Sequence, residues 1–396
     1  MRYHSRPTPA RLTGTIRVPG DKSISHRAVL FAAMADGTSE LSGVLDSADV
    51  RSTMSAVEAL GARIEIVEER PHGLDLLVHG WGADGPVEPV GVVECGNSGT
   101  TMRLLLGVLA GWPVHAVLTG DVSLSRRPMR RVTAPLAEMG ALVEAAEGDV
   151  APVGVKGGDL RPAGFDLPVA SAQVKTALLL AGLRADGTTT VCEPAPSRDH
   201  TERMLPGFGV PVARDGLCAS VTGPVVPCAT NVAVPADPSS AAFLIGAALL
   251  VPGSDITVEG ISLNPTRIGF LRVLARMGAD IDVTTGADVC GEPTGDVRAR
   301  FSERLTATTI TAGEVPSLID EVPLLAIVAT AATGATRFEG VGELRVKESD
   351  RLAAIADAIN VLQGGALATE DTLTVTGGHP LSGAALDSLG DHRLAM

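Results

Sequence analysis

One pattern of residues recurs along this chain, and it limits the fold more strictly than any other feature of the sequence. Each copy opens with a polar cluster, continues into a short segment of almost wholly apolar residues and then turns into a strand-like run. Five complete copies and the start of a sixth occupy residues 23–41, 101–118, 171–191, 238–258, 321–338 and 391–396. A helix that is apolar on every side must be buried, so each copy predicts one buried helix beside a strand.

The second half of each copy predicts a further helix with one wet face, followed by a glycine and another strand. The glycines stand about 70–85 residues apart, just past each helix end, where a left-handed residue closes a helix: Gly61, Gly140, Gly209, Gly278 and Gly364. Three copies in each of two similar lobes would use the whole chain, with a proline-rich crossing at 235–240. The alternative is a chance recurrence of common helix, glycine and strand elements, and five copies argue against it.

Composition excludes several classes of protein. With 396 residues, of which 45% are hydrophobic and 20% charged, the chain can bury two sizeable domain cores. Apolar runs such as 242–251 are about half the length of a membrane-spanning helix. Residues 1–12 lack the apolar core of a signal peptide. We therefore expect a cytoplasmic protein with no membrane partner.

Charge and cysteine content narrow the partners further. The net charge of −14 and the aromatic content of 3% argue against nucleic acid as a partner. A small anionic substrate stays open, because a local group of cations dominates the field at contact range. The five cysteines are scattered and none lies in a CxxC pair, so they indicate neither a disulfide framework nor a zinc site.

The residues that carry chemistry fall where the buried helices begin. There the free backbone N–H groups and the positive end of the helix dipole favour anions. Lys22, Ser23 and Arg27 share the first such start. This cluster is similar to the end of a phosphate-binding loop, but Asp21 separates Gly20 from Lys22 and the upstream glycine spacing is absent. The structural alternative is a capped helix with a solvated lysine.

Later clusters repeat this arrangement. Gly96 and Gly99 would let a ligand approach the backbone at the second start, for which a simple turn is the alternative. Arg126 and Arg127 follow in a loop, where guanidinium groups suit carboxylates and phosphates unless they are merely solvated.

The third start and the second half of the chain supply the remaining candidates. Ser171 can cap its helix, and we expect Gln173 and Lys175 to project from an otherwise apolar segment. Asp320 stands where another apolar helix begins, with a helix cap as its alternative role. The other polar candidates, some of which would form only a surface ladder of ion pairs, are Arg198, Arg345, Lys347, Glu348, Arg351, His392 and Arg393.

From end to end, the chain resembles the EPSP synthase family. The resemblance rests on seven clusters in order, GDKSISHR, GNSGTTMR, SLSRRPM, SAQVK, DPSSAAF, ELRVKESDRL and DHRLAM. SAQVK, Arg198 and NPTRIG are more similar to the second bacterial class than to the enteric type. The resemblance implies an α/β fold with two lobes, each of three βαβαββ repeats in an inside-out α/β barrel. One lobe would comprise residues 21–236, and the other residues 1–20 with 237–396.

The resemblance also implies an activity. Family members transfer the enolpyruvyl group of phosphoenolpyruvate to the 5-hydroxyl of shikimate 3-phosphate and release phosphate. Shikimate 3-phosphate would be held by Lys22, Ser23, Arg27, Ser171, Gln173, Arg198, Asp320 and Lys347. Phosphoenolpyruvate would be held by Lys22, Gly99, Arg127, Gln173, Glu348, Arg351 and Arg393.

Further expectations follow from the same resemblance. Asp320 would be the base for the hydroxyl, and Glu348, with Lys22 nearby, would donate and later accept the methylene proton. No metal or organic cofactor is needed, glyphosate would occupy the phosphoenolpyruvate site, and the protein would be a monomer. Ala172 stands where enteric members have a second serine, so Arg198 would carry more of the phosphate. Glu343 replaces an asparagine of enteric members.

Two alternatives remain. A UDP-N-acetylglucosamine enolpyruvyl transferase shares the fold, but that family has GAKNAA where this chain has GDKSIS, and a reactive cysteine in the loop that here reads SLSRRPM. A non-catalytic repeat scaffold would lack the paired acids and bases. By the repeat, the sixth copy is cut off after Arg393, so we expect about 30–40 further residues in a complete, active protein.

Overall fold

The structure is a computed structural model that describes residues 11–347 and 349–396. These residues form two compact units, each with its own hydrophobic core. The inserted unit consists of residues 19–235 and 288–293. The discontinuous unit consists of the described residues among 11–18, 236–287 and 294–396.

The inserted unit contains the first six helices and twelve of the strands among the described residues. Its helices are α1 (Lys22–Met34), α2 (Ala48–Ala59), α3 (Gly99–Ala110), α4 (Arg130–Met139), α5 (Ala172–Gly182) and α6 (His200–Met204). Its strands are β2 (Thr38–Val44), β3 (Arg63–Arg70), β4 (Gly73–His79), β5 (Val93–Glu94), β6 (His115–Thr119), β7 (Leu142–Ala146), β8 (Val150–Lys156), β9 (Gly164–Asp166), β10 (Gly187–Cys192), β11 (Ala213–Asp215), β12 (Cys218–Gly223) and β13 (Val232–Ala233).

The discontinuous unit contains the other elements of the described residues. Its helices are α7 (Pro238–Leu250), α8 (Gly269–Arg276), α9 (Val322–Thr330), α10 (Arg351–Val361) and α11 (His392–Ala395). Its strands are β1 (Thr13–Ile16), β14 (Asp255–Ser262), β15 (Asp280–Thr285), β16 (Thr294–Arg300), β17 (Thr309–Ile310), β18 (Ala335–Glu339), β19 (Gly365–Ala368) and β20 (Thr372–Thr376). No helix of the described chain is both long and apolar enough to cross a membrane.

One four-stranded sheet recurs five times in the described residues. In each sheet a first strand pairs in parallel with a second, and the two remaining strands complete the sheet by antiparallel pairing. The orders are β13-β2-β4-β3, β5-β6-β8-β7 and β9-β10-β12-β11 in the inserted unit, and β1-β14-β16-β15 and β17-β18-β20-β19 in the discontinuous unit. The repeat in the sequence is therefore a repeat of one α/β structure.

The chain passes between the two units twice, and each time the first strand of a sheet lies in a different unit from the helix that follows it in sequence. Strand β1 precedes α1 in sequence, yet it pairs with β14 of the discontinuous unit, Thr13 lying opposite Asp255. Strand β13 precedes α7, yet it pairs with β2 of the inserted unit, Val232 lying opposite Leu41. Each crossing thus leaves its first strand in the unit that the chain is leaving, where it completes a sheet.

Apolar helices form the centre of the inserted unit. Helix α1 is buried from Ile24 to Met34, as its all-round apolar sequence predicts. Helices α3 and α5 approach so closely that a Cβ added at Gly107 would lie 2.2 Å from the carbonyl oxygen of Ala177. Glycine is required at this position because any side chain would force the two helices apart.

Most of the predicted helix ends match the structure. Gly61, Gly140, Gly209 and Gly278 all have φ between +76° and +115°. The prediction for the fifth glycine is wrong, because the residue with positive φ is Gln363, at +66°. Gly364 is needed for space instead, since a Cβ there would lie 2.6 Å from the Cγ2 atom of Ile359.

The expectation that the cysteines form no disulfide is also wrong. Cys192 and Cys218 are bonded to each other, and they are 26 residues apart in sequence. Strands β10 and β12 pair in a register that sets these two residues directly opposite one another. Sequence spacing could not reveal the bond, because it depends on that register.

Candidate active site

Three helices of the inserted unit begin with side-chain caps of the kind that the polar clusters predict. The Asp21 carboxylate accepts a hydrogen bond from the backbone of Ile24 at 2.9 Å, and the Ser98 hydroxyl accepts one from Thr101 at 3.1 Å. Ser171 is the cap residue of α5. These caps leave other N–H groups in the first turns of α1, α3 and α5, where an anion is favoured.

The first cluster lies at the start of α1. Lys22 is half-exposed, with its Nζ atom 3.3 Å from Asp49. Ser23 accepts a hydrogen bond at 3.5 Å from Arg198, which brings the first and third clusters together. Arg27 is buried below them and donates from Nε to Thr201 at 2.8 Å. The structure therefore exposes Lys22 at this start and uses Arg27 as an internal support.

The second cluster surrounds the start of α3. Arg127 donates to the amide oxygen of Asn97 at 2.6 Å and to the hydroxyl of Ser123 at 3.3 Å. A Cβ added at Gly99 would lie 2.9 Å from an Nη atom of Arg103 and 3.5 Å from one of Arg127. Both guanidinium groups therefore reach the point where this helix begins.

Arg103 is a site residue that the sequence argument missed. It donates from Nη1 to the side-chain oxygen of Gln173 at 2.6 Å, while Gln173 donates to Thr100 at 2.9 Å. Gln173 is thus oriented by two residues of α3. Arg103 follows Gly99 by one helical turn within the GNSGTTMR cluster, and that spacing was the signal available in the sequence.

The third cluster differs from expectation at Lys175. Instead of projecting from the helix, this side chain is 5% exposed and its Nζ atom lies 2.5 Å from Glu193 and 2.7 Å from Glu202. Glu193 directly follows β10 and Glu202 lies in α6, so the apolar residues next to Lys175 in sequence gave no sign of these partners. Ser171 and Arg198 stay at the edge of this cluster, both of them half-buried.

Burial shifts several pKa values in this unit. Desolvation lowers the pKa of Arg27 to about 10, although the nearby Glu202 carboxylate opposes the shift. Desolvation, reinforced by Arg131 and Arg127, lowers the pKa of Arg103 to about 10. Both arginines are still cationic at neutral pH, and their lowered pKa values mark positive charge that an added anion would stabilise.

The discontinuous unit brings together Asp320, Arg351 and Asp391. Arg351 is almost fully buried and donates from Nε to Asp391 at 2.7 Å, while its Nη1 atom lies 3.5 Å from Asp320. Asp320 lies in a 3-10 turn before α9 and does not cap that helix, so its alternative structural role is removed. Burial alone would raise the pKa of Asp391, but the hydrogen bonds from Arg351 outweigh it and lower that pKa.

The remaining candidate residues of this unit are Lys347, Arg393 and Glu348. Lys347 donates to Glu343 at 2.6 Å, so the residue that replaces the expected asparagine is an ion-pair partner. The backbone of Arg393 donates to Asp391 at 2.9 Å as α11 begins. Glu348, the predicted proton donor, lies outside the described residues.

A second buried polar group lies beside Asp320. Glu321 accepts a hydrogen bond from the Ser239 hydroxyl, and Arg267 donates to that hydroxyl at 2.8 Å. Burial, and then the neighbouring Asp320 charge, raise the pKa of Glu321 above its ordinary value. In the part of the chain that the structure describes, no cluster of three or more His, Cys, Asp or Glu residues could hold a metal ion.

Comparisons with known proteins identify the family of this chain. The profile of the family described as EPSP synthase (3-phosphoshikimate 1-carboxyvinyltransferase) matches residues 7–396. A protein named 3-phosphoshikimate 1-carboxyvinyltransferase from Halorhodospira halophila is 51% identical over 386 residues, which are 97% of this chain and 86% of that protein. One of the same name from Shouchella clausii is 48% identical over 386 residues, covering 97% of this chain and 88% of that protein.

Solved structures give the same result. An EPSP synthase structure from Acinetobacter baumannii is similar with a TM-score of 0.89 at 41% identity, covering 97% of this chain and 88% of that one. The chain belongs to the EPSP synthase family, as its motifs predicted. The predicted α/β fold class is confirmed by the same comparison.

Proposed function

We propose that this chain transfers the enolpyruvyl group of phosphoenolpyruvate to the 5-hydroxyl of shikimate 3-phosphate. The observation that carries the proposal is the convergence of cations on the starts of α1, α3 and α5 in a chain of the EPSP synthase family. Each substrate bears a carboxylate and a phosphate, so both require cations and helix N-termini. The reaction is a step in the biosynthesis of aromatic amino acids.

In this proposal the inserted unit recognises most of the anionic groups. Lys22, Ser23, Ser171, Gln173 and Arg198 bind shikimate 3-phosphate. Their mutual arrangement supports this, because Arg198 donates to Ser23, which stands in the first turn of α1. Arg27 acts from below by holding the backbone oxygen of Ser23 at 3.1 Å.

Phosphoenolpyruvate has a partly separate set of ligands. Gly99 leaves its helix start open, and Arg127 and Gln173 lie beside it, held by Asn97 and Arg103 respectively. Lys22, with its half-exposed ammonium, contacts both substrates. In the discontinuous unit, Lys347 would bind shikimate 3-phosphate, and Glu348, Arg351 and Arg393 would bind phosphoenolpyruvate.

The chemistry then needs one base and one acid. The 5-hydroxyl oxygen attacks C2 of phosphoenolpyruvate, giving its proton to Asp320 while C3 takes a proton from Glu348. Glu348 next removes a proton from C3, the double bond re-forms and phosphate leaves. Asp320 suits its role because its carboxylate lies 3.5 Å from the Nη1 atom of the buried Arg351 cation.

Further parts of the proposal concern partners. No metal or organic cofactor takes part, because both proton transfers are assigned to side chains and the phosphate charge to cations. We also propose that the protein acts as a cytoplasmic monomer and that glyphosate competes for the phosphoenolpyruvate ligands.

Phosphate release on mixing the two substrates tests the proposal. We expect release only when shikimate 3-phosphate and phosphoenolpyruvate are both present. Release with UDP-N-acetylglucosamine in place of shikimate 3-phosphate would instead identify the related transferase. Binding of neither substrate by calorimetry would favour a non-catalytic scaffold and overturn the proposal.

A further inference from the structure

A buried ion cluster lies beneath the third helix start of the inserted unit. Lys175 stands one turn into α5, and its Nζ atom is 2.5 Å from Glu193 and 2.7 Å from Glu202. The three side chains are 5%, 2% and 5% exposed. None of them belongs to the residues to which binding or catalysis was assigned above.

As a purely structural feature, this cluster would contribute little to the stability of the fold. Buried charges lose hydration, and an apolar residue of similar size often serves stability as well as an ion pair does. Here one cation lies at ion-pair distance from two carboxylates, with the Arg27 charge also acting on Glu202, and the Oε2 atom of Glu202 is buried without a hydrogen-bond partner. Helix α5 is otherwise apolar, so a leucine at position 175 would suit its packing.

The contacts of Glu193 indicate what the cluster does. Its Oε1 atom accepts a hydrogen bond at 2.7 Å from the backbone N–H of Ser171. Its Oε2 atom accepts one at 2.8 Å from the hydroxyl of Ser197. One carboxylate therefore joins the start of α5 to the segment that carries Arg198, whose Nη1 atom reaches Ser23.

We propose that Lys175 and Glu193 form a positioning pair for the subsite that binds the phosphate of shikimate 3-phosphate. Glu193 fixes the two segments that present Ser171 and Arg198, and Lys175 neutralises the carboxylate so that it does not repel the anion. The pair acts through these residues and does not touch the substrate. This inference rests on the proposed function, because it requires shikimate 3-phosphate to be the ligand.

Unpaired buried charge should change the affinity for the substrate in a way that loss of packing alone would not. Lys175→Met keeps the length of the side chain but leaves two buried carboxylates beside the anion subsite. We expect the Kd for shikimate 3-phosphate to rise at least about tenfold, since truncating one partner of a buried charge pair is costly. A second substitution that removes one of these two carboxylates should bring the Kd of the variant back towards the wild-type value.

The substitution Glu193→Gln tests the other half of the pair. It is nearly isosteric and keeps one acceptor for Ser171, so it should fold even where Lys175→Met does not. We expect a smaller rise in Kd for shikimate 3-phosphate, with the KM for phosphoenolpyruvate and kcat within about threefold of wild type. The double variant should bind better than Lys175→Met alone, because it removes one unpaired carboxylate.

Arg203→Gln is the matched control. Arg203 lies on α6, one residue after Glu202, and forms an ion pair with Asp199 at 2.9 Å. Its loss should leave the Kd for shikimate 3-phosphate within about twofold.

Calorimetric titration with shikimate 3-phosphate, alongside steady-state kinetics, decides the matter. Equal binding by wild type, Lys175→Met and Glu193→Gln would overturn the positioning role, as would an equal rise in the KM for phosphoenolpyruvate. A wild-type protein that does not bind shikimate 3-phosphate would overturn the proposed function instead.

Discussion

Three arginines of the inserted unit are held in a different way from three cations of the discontinuous unit, although Lys22 and Lys175 of the inserted unit also pair with carboxylates. In the inserted unit, Arg27, Arg103 and Arg127 donate to neutral groups, which are threonine hydroxyls and the side-chain amides of Gln173 and Asn97. In the discontinuous unit three cations pair with carboxylates. Arg351 pairs with Asp391 and Asp320, Lys347 with Glu343, and Arg267 with Asp237.

The two kinds of hydrogen-bond partner suit two different tasks, which are anion binding and acid–base chemistry. A guanidinium held by neutral acceptors keeps its positive charge for a ligand, and burial lowers the pKa values of Arg27 and Arg103. A carboxylate held by an arginine stays ionised near neutral pH and can accept a proton. We therefore expect substitutions of these three arginines to affect binding, and substitutions around Asp320 to affect turnover.

The largest expected effect belongs to the discontinuous unit. Asp320→Asn removes the base but keeps the size of the side chain, so kcat should fall by about 10²–10⁴-fold with little change in the Kd of either substrate. Stopped-flow measurement of phosphate release gives the comparison. Glu314→Gln is the control, because Glu314 is also paired with an arginine, Arg276 at 2.7 Å, but has no proposed role. A normal kcat for Asp320→Asn would remove the distinction between the units.

Lys22→Ala tests whether the inserted unit also contributes to the transition state. Losing one preorganised donor typically costs about 10²–10³-fold, and we expect at least a hundredfold loss of turnover. The fold should be unaffected, because Lys22 is half-exposed at a helix start. Arg51→Ala removes another half-exposed cation, paired with Asp46, and should leave turnover unchanged. Near-normal turnover of Lys22→Ala would contradict the assignment.

Arg103→Met tests whether an arginine with neutral hydrogen-bond partners contributes to substrate binding. Without Arg103 the Gln173 amide loses a charge-assisted hydrogen bond of 2.6 Å and can rotate. We expect the KM for phosphoenolpyruvate to rise roughly tenfold, while kcat falls less, because such a bond contributes about 1.5–3 kcal/mol. Arg130→Met serves as the control, since Arg130 is exposed and paired with Asp149. An unchanged KM would mean that Gln173 needs no support.

Gly99→Ala should have a smaller and more selective effect. The added Cβ would lie 2.9 Å from an Nη atom of Arg103 and 3.5 Å from one of Arg127, so it narrows the start of α3 without touching backbone. Glyphosate should lose more affinity than phosphoenolpyruvate does, measured as the ratio of Ki to KM. Gly158→Ala has open space around its Cβ and should leave that ratio unchanged. Equal ratios for wild type and Gly99→Ala would refute the prediction.

The sequence predicted features that depend on local pattern. The buried helices α1, α3, α5, α7 and α9 follow from apolar runs, and the cations at their starts follow from the polar clusters. Four of the five glycine turns follow from the period of the repeat. These features need only neighbouring residues to specify them, which is why one sequence suffices.

Features that depend on contacts between distant segments could not be predicted. Lys175 looked like a projecting residue because its partners, Glu193 and Glu202, come from later elements. The Cys192–Cys218 bond requires the register of β10 against β12. Arg103 had no assigned role because its partner, Gln173, is 70 residues away.

Acid should act in opposite directions through His26 of the inserted unit and Glu321 of the discontinuous unit, which is the smallest of the expected effects. In the inserted unit, burial and then the Lys22 charge lower the pKa of His26 to about 3, from 6.5 when unfolded. Its Nδ1 atom lies 2.7 Å from the hydroxyl of Thr53, which joins α1 to α2. Between these two pKa values His26 binds a proton in the unfolded chain but not in the folded unit. Stability therefore falls as pH falls from about 6.5 towards 3. In the discontinuous unit the raised pKa of Glu321 has the reverse effect, since the folded state then binds the extra proton.

Hydrogen exchange at pH 7 and 5.5 in peptides of α1 measures the response of His26, and peptides of α9 give the reference for the other unit. Over this interval His26 should cost the inserted unit about 1 kcal/mol, because its unfolded form becomes mostly protonated while its folded form does not. His26→Gln can still hydrogen-bond to Thr53 but does not titrate, so it should abolish most of that loss in α1 and none of the change in α9. His79→Gln, on a partly exposed ring that contacts Thr38, should leave the loss in α1 intact. An acid response of α1 that survives His26→Gln would show that other groups control the acid sensitivity of this unit, and the contrast between the two units would then not rest on His26.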